Sequence, residues 1–187
     1  MRAQGYNRVG VLRMNTEPVL KPLYSREDIA AAVEKLANEI RRDYLGKRLV
    51  IVGILKGSFM FIADLIRQLN IPVEVEFVVL SSYGEGTESS GNIRMVKGLS
   101  TDIKGRDVLV VEDIIDSGYT INFLLDYLRR HRPASFKLCV LLDKRERRKV
   151  PVVIDYRGFT VPNKFVVGYG IDWDEKFRYL PDIRYID

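Results

Sequence analysis

At 187 residues the chain is long enough for one domain with a full core and too short for two comfortable ones; its 47% hydrophobic and 29% charged content is ordinary for a soluble globular protein. No apolar run reaches the ~18 residues of a membrane span, residues 1–13 lack an apolar signal core, and the single Cys139 excludes an intrachain disulfide, so a cytoplasmic protein is expected. The net charge of +5 favours anionic partners, and small phosphorylated substrates satisfy it as well as nucleic acid does.

Residues 1–24 read as irregular, because Pro18 and Pro22 discourage a helix. Ser25 reads as an N-cap with Asp28 three residues on, and Ile29, Val33, Leu36, Ile40 and Tyr44 follow at helical spacing until Gly46. A buried strand is predicted over 49–54, a helix over 57–69 that ends at Asn70-Ile-Pro72, and a second strand over 73–80. The Gly- and Ser-rich stretch 81–92 can bury little, and a strand over 93–99 returns after it, so a mobile loop on a hairpin is expected. Further strands are predicted over 108–111, 136–142 and 165–168, with a helix running from the 116–120 turn to about His131, itself a helix-end or solvent-facing residue. Strands separated by helices imply an α/β fold with a mainly parallel sheet core flanked by helices.

The most informative stretch is Val108-Leu-Val-Val-Glu-Asp-Ile-Ile-Asp-Ser-Gly-Tyr-Thr120. It reads as a buried strand, an acidic tip at Glu112 and Asp113, a turn of small residues, and the start of a helix. Backbone N–H groups in such a turn, at the positive end of a helix dipole, suit a phosphate. Carboxylates beside that cradle repel the same anion, so they serve sugar hydroxyls, a divalent cation or a proton. Lys56-Gly57 stands where the first core strand meets its helix: Gly57 lets backbone approach an anion and Lys56 adds charge, although on its own a solvated lysine is the plainer reading. Lys144 opens the basic run 144–149, which is either a solvated loop or a nucleic-acid patch. Taken alone, Phe165 to Val167 reads as core strand and Arg178 as an exposed charge.

The 108–120 segment resembles the phosphoribosyl-diphosphate signature of the phosphoribosyltransferases, and its Glu-Asp-Ile-Ile-Asp-Ser-Gly wording resembles the bacterial-type short branch acting on 6-oxopurines. Residues 161–178, from Val161-Pro-Asn-Lys-Phe165 to Phe177-Arg178, are similar over their length, and the likeness spans roughly 20–180. It implies a type I phosphoribosyltransferase fold: a core over about 26–142 and a purine-binding hood over about 143–187 joined by the N-terminal segment. It also implies transfer of a 5-phosphoribosyl group from its 1-diphosphate to hypoxanthine or guanine, with Mg²⁺ as cofactor. Glu112 and Asp113 would hold ribose hydroxyls and metal, Ser117, Gly118, Tyr119 and Thr120 the 5-phosphate, and Lys56, Gly57 and Arg178 the pyrophosphate. A non-proline cis peptide is implied before Lys56. Asp116 would be the general acid/base at purine N7, Lys144 the donor to the 6-oxo group, and Phe165 the stacking partner. Val166 and Asp172 would meet the pyrimidine-ring edge through backbone, with the Asp172 carboxylate reaching Mg²⁺, and Ser82-Tyr83 would belong to a closing flap. Tyr119 stands where the family varies, and Trp173 where a tyrosine is common; both could tune affinity. A homodimer or homotetramer without nucleic-acid or membrane partners is the implied assembly. The competing readings are a nucleic-acid-binding regulator on the same fold that senses phosphoribosyl diphosphate, and a magnesium-dependent phosphatase using Asp113 as nucleophile.

Overall fold

A computed structural model describes residues 18–82 and 93–187. Six strands form the main sheet in the order β4-β3-β2-β5-β6-β7: β2 (Leu49–Leu55), β3 (Val73–Ser82), β4 (Ile93–Lys97), β5 (Asp107–Ile115), β6 (Ser135–Asp143) and β7 (Tyr156–Thr160). All neighbours are parallel except β4, which returns antiparallel on the β3 edge as the hairpin reading required. Alternation sends Leu49, Ile51, Leu109 and Val111 into a core beneath α1 (Arg26–Tyr44) and α2 (Phe59–Leu69). Val50, Val52, Val108 and Val110 enter a second core beneath α3 (Tyr119–Arg130), so the sheet is buried on both faces and its strands read as continuous apolar runs.

Helix α1 begins as its sequence specifies. Ser25 Oγ accepts the Asp28 N–H at 3.1 Å while Asp28 receives the Ser25 N–H at 2.9 Å, and Ile29, Val33, Leu36, Ile40 and Tyr44 are all buried. Asn70 ends α2 with φ 48°, a left-handed C-cap that asparagine tolerates. Cys139 is a buried thiol whose pKa burial pushes up, as expected of an inert packing residue. His131 is the C-cap of α3, its Nδ1 3.0 Å from the Tyr127 carbonyl oxygen.

Four strands depart from the sequence reading, two of them paired with each other. Residues 20–24 are not irregular but form β1 (Leu20–Tyr24), paired antiparallel to β9 (Ile183–Ile186). Pro22 is accommodated because β1 is an edge strand whose register shifts beside it. Strand β8 (Phe165–Val167) does not join the parallel sheet: it completes a separate three-stranded antiparallel sheet in the order β1-β9-β8. Strand β7, absent from the sequence reading, lies past residue 142 yet extends the main sheet beside β6.

The β3–β4 hairpin is anchored at its base by Glu76, which is buried on β3. Burial alone would push its pKa up, but the Ser100 hydroxyl, the N–H groups of Ser100 and Phe77, and Lys97 hold it down at about 2. A carboxylate whose folded pKa lies below its unfolded value near 4.5 stabilises the fold above pH 4.5, and that stability is lost as pH falls from there toward about 2. We expect Glu76→Gln to cost about 1–3 kcal/mol at neutral pH and to flatten the stability profile over that acid window. Denaturant unfolding at a series of pH values tests it; a mutant with the wild-type acid slope would remove Glu76 from the acid response.

Candidate active site

The strand order reverses direction between β2 and β5, and in an open parallel sheet the carboxyl ends at such a point border a ligand crevice. Pairing of β2 with β5 stops at Gly53 and Val111, whereas β5 stays paired to β6 as far as Ile115. The sheet therefore splits beyond Val111, and the acids stand in the split. They do not follow the strand as its acidic tip, as the sequence suggested, but lie within it, because pairing to β6 continues past them. Alternation turns Glu112 and Asp113 to opposite faces, and both are buried. Burial, with the neighbouring Asp113 charge, raises Glu112 well above the usual carboxylate range; its Oε2 has no hydrogen-bond partner among the described residues. Burial likewise raises Asp113 to about 6, opposed by its own and the Ile114 backbone N–H and by Arg178, and reinforced by Asp172.

Asp116, Ser117 and Gly118 turn the chain from β5 into α3. Gly118 has φ 90°, and a Cβ there would fall 2.9 Å from Val152 Cγ2 and 3.0 Å from Arg148 Cδ. The turn is braced from behind by residues 148–152: the N–H groups of Lys149 and Val150 donate to the Ser117 carbonyl at 3.0 and 3.3 Å. Among the described residues no side chain caps α3, whose first turn includes Tyr119 and Thr120. Its N-terminal amides and dipole suit an incoming anion.

Across the split, the Leu55–Lys56 peptide is cis, as the resemblance implied. Gly57 lies so close to Asp113 that a Cβ would fall 2.2 Å from Oδ2. The resemblance assigns this loop to pyrophosphate; on that assignment we expect Gly57→Ala to push the loop off Asp113 and raise the Kd of inorganic pyrophosphate about tenfold or more, as titration calorimetry would read. Wild-type affinity would show that the loop does not need its close approach.

Lys144 follows β6 and is only 6% exposed, not the surface charge its composition permitted. Desolvation lowers its pKa, partly opposed by Asp116, whose Oδ2 is 4.0 Å from Nζ. The ammonium also lies 5.8 Å from the centre of the Phe165 ring. Phe165 is 48% exposed, whereas the next two residues of β8 are buried, so its ring forms a wall instead of core. One cavity of about 310 Å³ is bordered by Lys56, Gly57, Asp113, Ile114, Asp116, Lys144, Phe165, Val166, Ile171, Asp172 and Arg178. A larger cavity of about 510 Å³ lies between α1, α2 and residues 169–181, but it borders neither Asp116 nor Lys144. Chemistry, not size, decides between them. Arg178 is not a free charge: Nη1 donates to the Gly170 carbonyl at 2.8 Å, and Nη2 is 2.8 Å from Asp172 Oδ1.

Among the other expected site residues, Ser82 ends β3, while Tyr83 and the rest of 83–92 lie outside the described residues. Sequence reasoning missed Arg147 and Glu175. Arg147 Nε stands 2.8 Å from Asp116 Oδ1, near enough for an ion pair though not aligned as a hydrogen bond. Arg148 pairs with the buried Asp143. The basic run 144–149 is thus partly spent on this site instead of forming a wholly outward patch. No local pattern ties Arg147 to Asp116.

A model of the phosphoribosyl transferase domain matches residues 20–174. The hypoxanthine-guanine phosphoribosyltransferase of Aquifex aeolicus is 49% identical over 90% of this chain and 95% of its own length. The chain belongs to this family. The hypoxanthine phosphoribosyltransferase of Haemophilus influenzae is 48% identical over 84% of this chain and 90% of its own. A crystal structure of a Bacillus anthracis hypoxanthine-guanine phosphoribosyltransferase superposes with TM-score 0.85 at 47% identity, covering 89% of this chain and 98% of that one. As a member of the hypoxanthine-guanine phosphoribosyltransferases the chain is a transferase with the type I phosphoribosyltransferase fold, and the main sheet, its flanking helices and the cavity above the β2–β5 split take their meaning from that. Among the described residues no helix is long and apolar enough to cross a membrane.

Proposed function

We propose that the cavity transfers the 5-phosphoribosyl group of 5-phosphoribosyl 1-diphosphate to N9 of hypoxanthine or guanine, releasing pyrophosphate as a step of purine salvage. The observation that carries this reading is the sharing of one cavity by Asp116, Lys144 and Phe165 with Lys56, Gly57 and Arg178. The turn amides of Ser117 to Thr120 hold the 5-phosphate. Glu112 and Asp113 grip the ribose hydroxyls; the Glu112 oxygen that lacks a partner among the described residues suits an incoming O–H. Lys56, the Gly57 backbone and Arg178 take the diphosphate, where a guanidinium fork matches paired oxygens. Phe165 stacks on the base, Lys144 donates to its 6-oxo oxygen, and backbone groups of Val166 and Asp172 meet the pyrimidine-ring edge. Asp116 manages the proton at N7 as N9 attacks C1′ and positive charge grows on the ribose. Ser82 and Tyr83 are assigned, as the resemblance implies, to the flap that shields the reacting centre from water.

The donor set also fits a divalent cation, on a condition. No group of three or more His, Cys, Asp or Glu among the described residues could hold one, yet Asp113 and Asp172 interact electrostatically across the cavity. Two carboxylates completed by substrate oxygens are the way Mg²⁺ is usually held. Bound there, Mg²⁺ would neutralise charge on the departing diphosphate.

Residues 161–187 with the β1 strand are proposed as the hood over the base, β7 before them belonging to the main sheet, and the molecule as a homodimer or homotetramer, which light scattering on the purified protein would measure. Incubation with phosphoribosyl diphosphate, Mg²⁺ and separate purines tests the reaction. Nucleotide formation with hypoxanthine or guanine supports transfer; phosphate release alone would make the protein a phosphatase, and neither product would leave a regulator.

A further inference from the structure

Glu175 has no role in the reaction above, yet its carboxylate stands between the two cations that reaction assigns to pyrophosphate. Oε1 is 2.7 Å from Lys56 Nζ, on the far side of the cavity mouth, and Oε2 is 3.4 Å from Arg178 Nη2. Each oxygen thus faces a different cation, as two oxygens along the edge of a phosphate would. The arrangement is held from below, because the Glu175 N–H donates to Asp172 Oδ2 at 2.8 Å and the residue takes a left-handed φ of 60°. Arg178 is oriented independently by Gly170 and Asp172, so its contact with Glu175 is the more dispensable one.

We infer that Glu175 is a displaceable internal counter-ion for the pyrophosphate end of the site, a positioning residue that pairs Lys56 and Arg178 before the diphosphate arrives and opposes its retention afterwards. The inference rests on the assignment of Lys56 and Arg178 to pyrophosphate. Two features fit a partner meant to leave. Both side chains of the Lys56–Glu175 pair are about two-thirds exposed, 66% and 65%, where an ion pair is weak and easily broken. Both are also remote in sequence, so the pair spans the mouth of the site without bracing any local turn. A diphosphate carries more charge than one carboxylate and outcompetes it for the same cations. Once displaced, Glu175 remains nearby as a like charge, which favours release of the product.

The test is titration of inorganic pyrophosphate, at fixed Mg²⁺, into wild type, Glu175→Gln, Glu175→Asp, Lys56→Ala, Arg178→Ala and the Lys56→Ala/Glu175→Gln double variant. Glu175→Gln should bind pyrophosphate roughly two- to fivefold tighter, the span of a surface ion pair released. The gain should vanish when Lys56 is also absent, and Glu175→Asp, which keeps the charge, should stay near wild type. In steady state the KM for phosphoribosyl diphosphate should fall in Glu175→Gln while kcat falls or holds, a split that loss of a purely structural contact would not give. Unchanged or weaker pyrophosphate binding in Glu175→Gln, with Lys56→Ala and Arg178→Ala both weakened, overturns the counter-ion and leaves the site assignment standing. Wild-type affinity in both Lys56→Ala and Arg178→Ala overturns the assignment and the inference together.

Discussion

Asp116→Asn is expected to lower kcat by roughly 10²–10⁴ while leaving the fold and the affinity for phosphoribosyl diphosphate nearly intact. Three features of the site set this expectation. Asp116 contributes its side chain to no element: it lies in the turn between β5 and α3 and is 41% exposed. The proposed anion cradle beside it is built of backbone, so an isosteric amide should not disturb a 5-phosphate held there. What the amide lacks is the ability to take and return a proton, and a negative charge for Lys144 and Arg147. The loss should therefore appear in turnover and not in diphosphate binding. Circular dichroism, calorimetric binding of phosphoribosyl diphosphate and steady-state rates on one preparation separate these outcomes. Near-normal turnover would take Asp116 out of proton transfer, and a collapse of diphosphate affinity would make it part of the cradle instead.

Which parts of this picture were legible in the chain follows from the range of the interactions involved. Helix α1 is specified by contacts three and four residues apart, from the Ser25–Asp28 box to the Ile29–Tyr44 stripe, so it was readable with its ends. Strand β5 and its turn were readable for a different reason: a run buried on both faces has to be apolar, and polar residues at its end stand out. β1 and β9 carry no comparable signal, because their pairing joins Leu20 to Ile186 and exists only once the chain has folded. β7 mixes buried and exposed positions around Gly158, whose absent Cβ lets the Leu141 carbonyl approach, and nothing in five residues announces that neighbour. The candidate site shows the same division. Its amides, acids and aromatic wall were found from motif and resemblance. The ion pairs Arg147–Asp116 and Glu175–Lys56 cross between segments, and the burial of Lys144 depends on elements far away in sequence.

That burial makes Lys144 the position where base selectivity can be altered most. An ammonium has three donors and no acceptor, so it matches a 6-oxo oxygen and meets the 6-amino group of adenine donor against donor. Out of water that mismatch is severe, and a site built around one such hydrogen bond can reject the wrong partner by ~10⁴ or more. Lys144→Gln offers a carbonyl oxygen as well as an amide N–H, removing the sign of the discrimination while keeping a polar group of similar reach. We expect kcat/KM for hypoxanthine to fall about 10²–10³-fold, and the preference for hypoxanthine over adenine to shrink by at least tenfold. The change also removes a cation from beside Asp116, so some of the first effect is shared with proton transfer. The ratio between the two bases is the cleaner measure, because a loss of proton transfer at Asp116 should fall on both. An unchanged ratio would move selectivity off Lys144 and onto the backbone groups proposed to meet the base beside Phe165.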